Sequence, residues 1–257
     1  MVSNLRNAYW VALVSCISLV LIYAFQESYP KFMEDFSVVF PTFIAGAATV
    51  ASSFALRRYW KDIRNRFSVI WLGLTLGMFL WFLGELSWAI YVFFLGIERP
   101  YPSFGDVAWL SGYVPLFIAI YIYVQIFRPA IPRRAFWISG LMVCSVGLAI
   151  FIFLVVPFIW TTEDMTTLAV GVAYPALDVV LFSEAILGLL IFIEGKIGKA
   201  WLLINAGILM NVIADMLFSY TTAIGTYWIV SAHPLELYFH WGYILFILAF
   251  YTHIKEL

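Results

Sequence analysis

Acidic, amide and imidazole side chains lie inside long apolar stretches of this sequence. Asn211 and Asp215 are four residues apart, as are Glu236 and His240, so each pair lies on one face if its segment is helical. His233 precedes Glu236 by three residues and extends that face. Such groups can bind a cation, exchange a proton, hydrogen-bond a polar ligand or activate water. The spacing therefore predicts a polar site.

Other acids lie at comparable depth. Glu85 lies about 18 residues into its apolar stretch, or ~27 Å at the helical rise of 1.5 Å per residue. Asp178 lies near the middle of its stretch, and Glu184 lies further along. A charge at a bilayer centre costs about 2.5–3.5 kcal/mol even on lenient scales, so these groups should face a cavity or a partner. Asp106 and Glu236 lie near the start of their stretches, where they could instead cap helix N-termini.

We predict a ligand-binding site formed by Glu85, Asp178, Asn211, Asp215, His233, Glu236 and His240. No Lys or Arg lies at this depth, so some carboxyls must be protonated, bind a cation or meet water. Two imidazoles and a carboxylate, those of His233, Glu236 and His240, could hold a transition metal. Their spacing, His-x2-Glu-x3-His, is not an established metal signature, so we expect neither a metal nor another cofactor. Aromatic residues at the same level form an interfacial belt or line a pocket for a cation or amphiphile: Trp81, Trp88, Tyr91, Trp109, Tyr220, Trp228, Tyr238 and Trp241.

The composition indicates that a membrane surrounds these residues. Hydrophobic residues make up 64% of the chain and charged residues 11%, against roughly half and a quarter in soluble proteins. Eight apolar stretches can cross a bilayer core of about 30 Å, near 8–26, 38–56, 67–95, 107–127, 136–159, 167–193, 200–221 and 227–252. We therefore predict an all-α integral membrane protein with eight transmembrane helices, located in the cell membrane.

The basic residues predict that both termini are cytoplasmic, because Lys and Arg are enriched in cytoplasmic loops. Of the 14 basic residues, all but Lys31 and Arg99 fall on one side: Arg6, Arg57, Arg58, Lys61, Arg64, Arg66, Arg128, Arg133, Arg134, Lys196, Lys199 and Lys255. The formal net charge of −1 gives no basic excess for nucleic acid. The expected partners are membrane lipids, a separate signalling or membrane protein, and a second copy of the chain.

The chain resembles itself at an offset of 130 residues. Glu85 aligns with Asp215, Asp106 with Glu236, and Gly112-Tyr113 with Gly242-Tyr243, with no gap from residue 71 to 121. Residues 1–257 then form a single membrane domain, in which repeat one (1–128) and repeat two (129–257) have four helices each. Halves with an even number of helices have parallel topology about a pseudo-twofold axis along the membrane normal. Coincidental helical periodicity is the alternative explanation.

A segment of about 30 residues resembles a known group of membrane modules. It reads Gly84-Glu85-Leu86-Ser87-Trp88-Ala89-Ile90-Tyr91, then Gly96-Ile97-Glu98 and Pro100-Tyr101-Pro102-Ser103-Phe104-Gly105-Asp106, ending in Leu110-Ser111-Gly112-Tyr113. This segment resembles the multi-span N-terminal modules of archaeal and bacterial signalling proteins, which precede diguanylate cyclase or histidine kinase domains. The resemblance implies a sensor. Because no output domain follows here, we expect the signal to pass to a separate partner.

A second resemblance is to the lysoplasmalogenase family, which also has eight spans. Gly84-Glu85 and Ala214-Asp215 would occupy the places of its Gly-Asp and Ser-Asp acids, with Glu replacing Asp and Ala replacing Ser. This resemblance implies a lipid-acting hydrolase in which Glu85 and Asp215 activate water.

Our leading functional hypothesis is a binding module or sensor, not an enzyme. Its acidic and aromatic pocket would face outward and take a small ligand, a lipid headgroup or a cation. A lipid-acting hydrolase is the first alternative. A proton- or cation-coupled transporter is the second, and Glu184 would mark its inner route.

Overall fold

The computed structural model describes residues 2–62, 64–97, 100–130, 132–193, 198–227 and 232–256. Within these ranges the chain forms helices and turns without a strand. The helices are α1 (Val2–Ala24), α2 (Pro30–Leu56), α3 (Arg66–Phe93), α4 (Phe104–Phe127), α5 (Arg133–Ile150), α6 (Val156–Thr161), α7 (Met165–Ile193), α8 (Lys199–Ala223) and α9 (Glu236–Glu256). A π-helical turn, Phe151–Val155, joins α5 to α6. Arg99, Lys196 and Trp228 lie outside the described residues.

The prediction of eight transmembrane helices in an all-α protein is confirmed at the level of length and composition. Eight helical segments among the described residues are long and apolar enough to span a membrane, and α5 and α6 together form the fifth of them. The second begins at Pro30 instead of residue 38, since proline at the first helical position is compatible with a helix start. The last begins at Glu236, not at residue 227 as predicted, because His233 and Pro234 lie in a turn before it.

Six helices form a closed ring around the core. Around this ring α2 packs on α3, α3 on α4, α4 on α7, α7 on α8, α8 on α9, and α9 back on α2. The other two long spans lie outside it, α1 against α9 and α5 against α7. The ring therefore positions any site built in its interior.

Small residues allow two helix pairs of this ring to approach closely. A Cβ atom at Gly112 would lie 3.3 Å from the carbonyl oxygen of Gly77, and one at Gly242 would lie 3.1 Å from that of Gly207. These distances are tighter than most Cβ contacts, so a side chain at either glycine would push the neighbouring helix backbone outward. Each glycine pair thus brings two helices together, α3 with α4 and α8 with α9.

An aromatic plug fills the ring at the end formed by the first turns of α3 and α8. We use this name for Trp71, Tyr123, Trp201 and His253. Tyr123 stacks on Trp201 with ring centroids 3.4 Å apart, His253 lies 4.1 Å from Trp71, and the two indoles lie 5.9 Å apart. Trp71 is completely buried. Solid packing at this end leaves the opposite end as the place for a cavity.

Candidate functional site

A partly enclosed cavity lies inside the six-helix ring at the end opposite the aromatic plug. The centre of a water-sized sphere can occupy about 100 Å³ of it, where a single water needs only about 10–15 Å³ on this measure. The cavity could therefore hold several waters or a small organic molecule. Its lining comprises Ser37, Pro41, Trp81, Glu85, Trp88, Tyr101, Asp106, Trp109, Tyr113, Tyr174, Asn211, Asp215, Phe218, Ser219, Tyr227, Glu236, Phe239, His240 and Tyr243.

The polar lining is acidic and aromatic. It includes four carboxyl side chains, those of Glu85, Asp106, Asp215 and Glu236. Neither Lys nor Arg is among the described residues that line the cavity. Each of the four accepts a hydrogen bond from a tyrosine hydroxyl. A tyrosine partner is thus a feature that all four acids share.

The deepest polar group is the inner triad, by which we mean Tyr113, Asp178 and Asp215. The Tyr113 hydroxyl of α4 lies 2.7 Å from Oδ1 of Asp178 on α7 and 2.9 Å from Oδ2 of Asp215 on α8. Asp215 lines the cavity, whereas Asp178 lies behind Tyr113 and is only 1% exposed. Its Oδ2 is buried without a hydrogen-bond partner in the described part of the chain. One phenol hydroxyl therefore joins two acids.

A second group, the α9 cluster, comprises Tyr23, Tyr227, Glu236 and His240. The two Glu236 oxygens accept from the Tyr23 hydroxyl at 2.8 Å and from the Tyr227 hydroxyl at 3.0 Å. The Tyr23 oxygen also lies 2.9 Å from Nε2 of His240. Because Tyr23 belongs to α1, this cluster ties a helix outside the ring to α9.

The two remaining acids are held differently. Asp106 accepts the backbone N–H of Ser103 at 2.7 Å and its hydroxyl at 2.9 Å, which completes a capping box at the start of α4. Its other oxygen accepts from Tyr174 at 3.0 Å. Glu85 accepts a side-chain hydrogen bond from Tyr243 of α9. Asp106 is thus both a helix cap and part of the cavity wall.

Indole rings form the wall beside these acids. Trp88 and Trp109 pack edge to face with centroids 4.9 Å apart, and Trp81 packs edge to face on Tyr113 at 5.8 Å. Trp81 also donates its Nε1–H to the carbonyl of Trp109 at 3.2 Å. A Cβ atom at Gly84 would overlap the Trp109 indole, so only glycine there admits this ring.

Tyr101 borders the cavity from the loop between α3 and α4. Burial raises the pKa of Tyr101 to about 12, and the negative charge of Asp106 adds to the effect. Its hydroxyl therefore keeps its proton at physiological pH and offers the cavity a donor.

The structure brings together most of the residues predicted from sequence. Five line the cavity, namely Glu85, Asn211, Asp215, Glu236 and His240. The Asn211 amide already uses a donor within the protein, since it donates to the carbonyl of Gly207 at 2.8 Å. Asp178 does not line the cavity and is connected to it by its hydrogen bond with Tyr113. Glu184 lies outside the lining of this cavity.

His233 lies at the edge of the α9 cluster and outside the cavity lining. Its ring stacks on Tyr227 with centroids 5.5 Å apart, and its Nδ1 accepts the backbone N–H of Leu235 at 3.2 Å. The predicted common face of His233, Glu236 and His240 is therefore wrong for His233, because this residue precedes the helix. No three His, Cys, Asp or Glu side chains among the described residues are placed to hold one metal ion.

The sequence reasoning missed the tyrosines that partner the acids. Tyr23 belongs to no motif of the sequence, whereas Tyr113 and Tyr243 belong to the repeat and Tyr113 also ends the segment that resembles signalling modules. Tyr23 is 213 residues from Glu236, and Tyr113 is 102 residues from Asp215. The only available signal was the recurrence of Gly-Tyr at the offset that also relates Glu85 to Asp215.

No family model, curated protein or solved structure matches this chain. The candidate site is therefore interpreted from its own geometry.

Proposed function

We propose that this protein is a membrane-embedded binding module, acting as a sensor, whose cavity takes a small organic ammonium ion. The observation that carries the proposal is the cavity lining. Carboxyl groups and indole faces surround a space of about 100 Å³. Aromatic faces and carboxylates both attract cations, and desolvated cation–π contacts contribute about 2 kcal/mol or more.

His240 favours an ammonium ion that carries N–H donors. It lines the cavity and is 1% exposed, and its Nδ1 has no hydrogen-bond partner in the described part of the chain. With Nε2–H directed to Tyr23, Nδ1 is an acceptor. A buried acceptor without a partner carries a cost that a bound N–H donor would remove. A primary ammonium should thus bind more tightly than a quaternary one.

Thermal unfolding of the detergent-solubilised protein tests this proposal with three matched ligands. Ethanolamine is a primary ammonium ion, choline is its quaternary relative, and the carbon analogue of choline has the same shape without the charge. A ligand at a hundred times its Kd stabilises by about 2.7 kcal/mol. We expect the melting temperature to rise most with ethanolamine, less with choline and not with the neutral analogue. Equal shifts with all three, or no shift, would contradict the proposal.

The ammonium group could come from a free amine or from a lipid headgroup, and nanodiscs separate the two sources. If a headgroup occupies the cavity, nanodiscs of phosphatidylethanolamine should suppress the response to free ethanolamine, while nanodiscs of phosphatidylglycerol should preserve it. If free amines are the natural ligands, both nanodiscs should preserve the response.

We also propose that the cavity faces away from the cytoplasm, with both termini on the cytoplasmic side of the cell membrane. The basic loops between α2 and α3 and between α4 and α5 lie at the aromatic-plug end, which supports this orientation under the positive-inside rule. In a background lacking Cys16 and Cys144, a membrane-impermeant thiol reagent applied to cells should label Asp164→Cys. It should leave Lys61→Cys unlabelled until the cells are opened.

A tandem repeat of residues 1–128 and 129–257 about a pseudo-twofold axis is part of the same proposal. Contacts that recur at the offset of 130 support it. Tyr113 bonds Asp215 while Tyr243 bonds Glu85, which is the same contact with the halves exchanged. The Gly77–Gly112 and Gly207–Gly242 approaches recur likewise. The outer helices depart from the symmetry. The offset makes α5 the counterpart of α1 and α4 the counterpart of α9, but α1 packs on α9 whereas α5 packs on α7.

The hydrolase alternative keeps one supporting observation, since Glu85 and Asp215 line the same cavity. Turnover of a lysoplasmalogen by the purified protein, lost in both Glu85→Gln and Asp215→Asn, would favour it over the binding module. Accumulation of labelled ethanolamine inside proteoliposomes would favour the transporter.

A further inference from the structure

If both acids of the inner triad are ionised, the triad has one proton fewer than its two contacts need, because the Tyr113 hydroxyl carries a single proton. A phenol hydroxyl has one proton and can donate one full hydrogen bond. The Tyr113 oxygen lies within hydrogen-bond distance of both Asp178 and Asp215, at 2.7 and 2.9 Å. Two linear hydrogen bonds at these distances require that one carboxyl group is protonated and donates to the phenol oxygen.

The burial of Asp178 indicates where this proton lies. Asp178 is 1% exposed, and its Oδ2 is without a partner in the described part of the chain. A bare charge in that place would be costly, whereas a neutral carboxyl oxygen costs much less. The hydrogen bonds then run from Asp178 to Tyr113 and from Tyr113 to Asp215, so the negative charge lies on the acid that lines the cavity.

Resting on the proposed function, we infer that binding of an ammonium ion in the cavity releases the proton that Asp178, Tyr113 and Asp215 share. One positive charge enters as one leaves, so the net charge of the buried site is conserved. The bound cation also offsets the cost of ionising Asp178, because an opposite charge nearby favours the charged form of an acid.

The triad also offers a route for the proton. Tyr113 passes its own proton to Asp215 while it accepts the proton of Asp178, so the phenol stays neutral. Asp215 then releases the proton to water in the cavity, and both acids remain ionised beside the bound cation. The ionisable groups that face Asp178 or Asp215 from the packed helices are Tyr113 on α4, Tyr174 on α7 and Tyr243 on α9. Beyond them, Asp106 faces Tyr174 and Glu85 faces Tyr243.

Isothermal titration calorimetry with choline tests the inference, because choline has no N–H proton to lose. Titrations at one pH in phosphate and in Tris, whose ionisation enthalpies differ, give the number of protons released per cation. We expect a value near one for the wild type. The choline Kd should then tighten about tenfold per unit rise in pH over the range in which the free triad holds its proton.

Asp178→Asn is the matched variant, since its amide N–H can donate to Tyr113 as the protonated carboxyl does. It should bind choline without proton release and with a Kd independent of pH. An equal release by this variant would overturn the assignment to the triad.

Infrared difference spectroscopy of the wild type gives a second readout that needs no variant. The carbonyl band of a protonated carboxyl should disappear when choline binds. Choline binding without proton release and without loss of this band would overturn the inference and leave the proposed function intact. If neither choline nor ethanolamine binds, the proposed function itself fails.

Discussion

The α9 cluster and the inner triad are both built from tyrosine hydroxyls and buried acids, yet their hydrogen bonds differ in one respect. In the α9 cluster two hydroxyls donate hydrogen bonds to one carboxylate, and Nε2 of His240 can donate to the Tyr23 oxygen. Every one of these contacts forms with Glu236 ionised and His240 neutral. In the inner triad one hydroxyl serves two acids, so an added proton is needed. The ratio of donors to acids thus separates a cluster whose contacts need no added proton from one whose contacts do.

Asp215→Asn should have the largest effect on binding, because it removes the charge that the inner triad presents to the cavity. We expect ethanolamine affinity to fall at least a hundredfold, about 2.7 kcal/mol, so that ligand-dependent thermal stabilisation disappears. The control is Asp35→Asn, which removes an exposed acid near the start of α2, at the cavity end of the ring. Unchanged stabilisation in Asp215→Asn would exclude the inner triad from the site.

Tyr23→Phe should instead affect folding stability, because it removes the hydroxyl that links α1 to Glu236 and His240. Loss of one partner from buried polar groups costs about 1–3 kcal/mol. Thermal unfolding should therefore occur at a lower temperature, while choline binding still releases the proton of the inner triad. Tyr9→Phe on the same helix should change neither property. Loss of the proton release in Tyr23→Phe would abolish the distinction between the two groups.

Gly84→Ala should change only the indole wall beside the inner triad and leave the α9 cluster intact. The new methyl group overlaps Trp109, whose carbonyl holds the Trp81 ring that packs on Tyr113. We expect ethanolamine affinity to fall about tenfold, or about 1.4 kcal/mol, although alanine normally favours a helix over glycine.

The matched control for this change is Gly140→Ala in α5, where a Cβ atom would meet nothing within 4 Å. Calorimetry should give it the affinity of the wild type. Equal affinities for Gly84→Ala and Gly140→Ala would show that the indole wall does not contribute to binding.

His233 at the edge of the α9 cluster should give the smallest effect. Burial lowers the pKa of His233 below its usual value of 6.5, so the unfolded chain takes up a proton at a higher pH than the folded one does. Stability is then complete above pH 6.5 and declines as the pH falls through this value. His233→Asn should reduce that decline slightly in thermal unfolding between about pH 7 and 5. A steeper decline in the variant would contradict this assignment.

The spans and the depth of Glu85 and Asp215 could be predicted from sequence, because hydropathy and the helical rise act along one chain segment. The start of α9 at Glu236 was harder to predict, since apolar residues continue upstream across the turn at Pro234. Which side of a helix faces which neighbour depends on packing between distant segments. Depth alone therefore could not reveal that Asp178 lies behind Tyr113, or that Tyr23 crosses from α1 to Glu236.

The aromatic plug has a consequence for what the cavity can report. Trp71 and Trp201 close the ring below the cavity. In the proposed binding module we therefore expect a ligand to enter and leave at the end opposite the aromatic plug, in contact with a single compartment. Its occupancy at equilibrium would then follow the ligand concentration on that side alone and be independent of any gradient across the bilayer. A vestibule closed in this way would measure a solute without moving it.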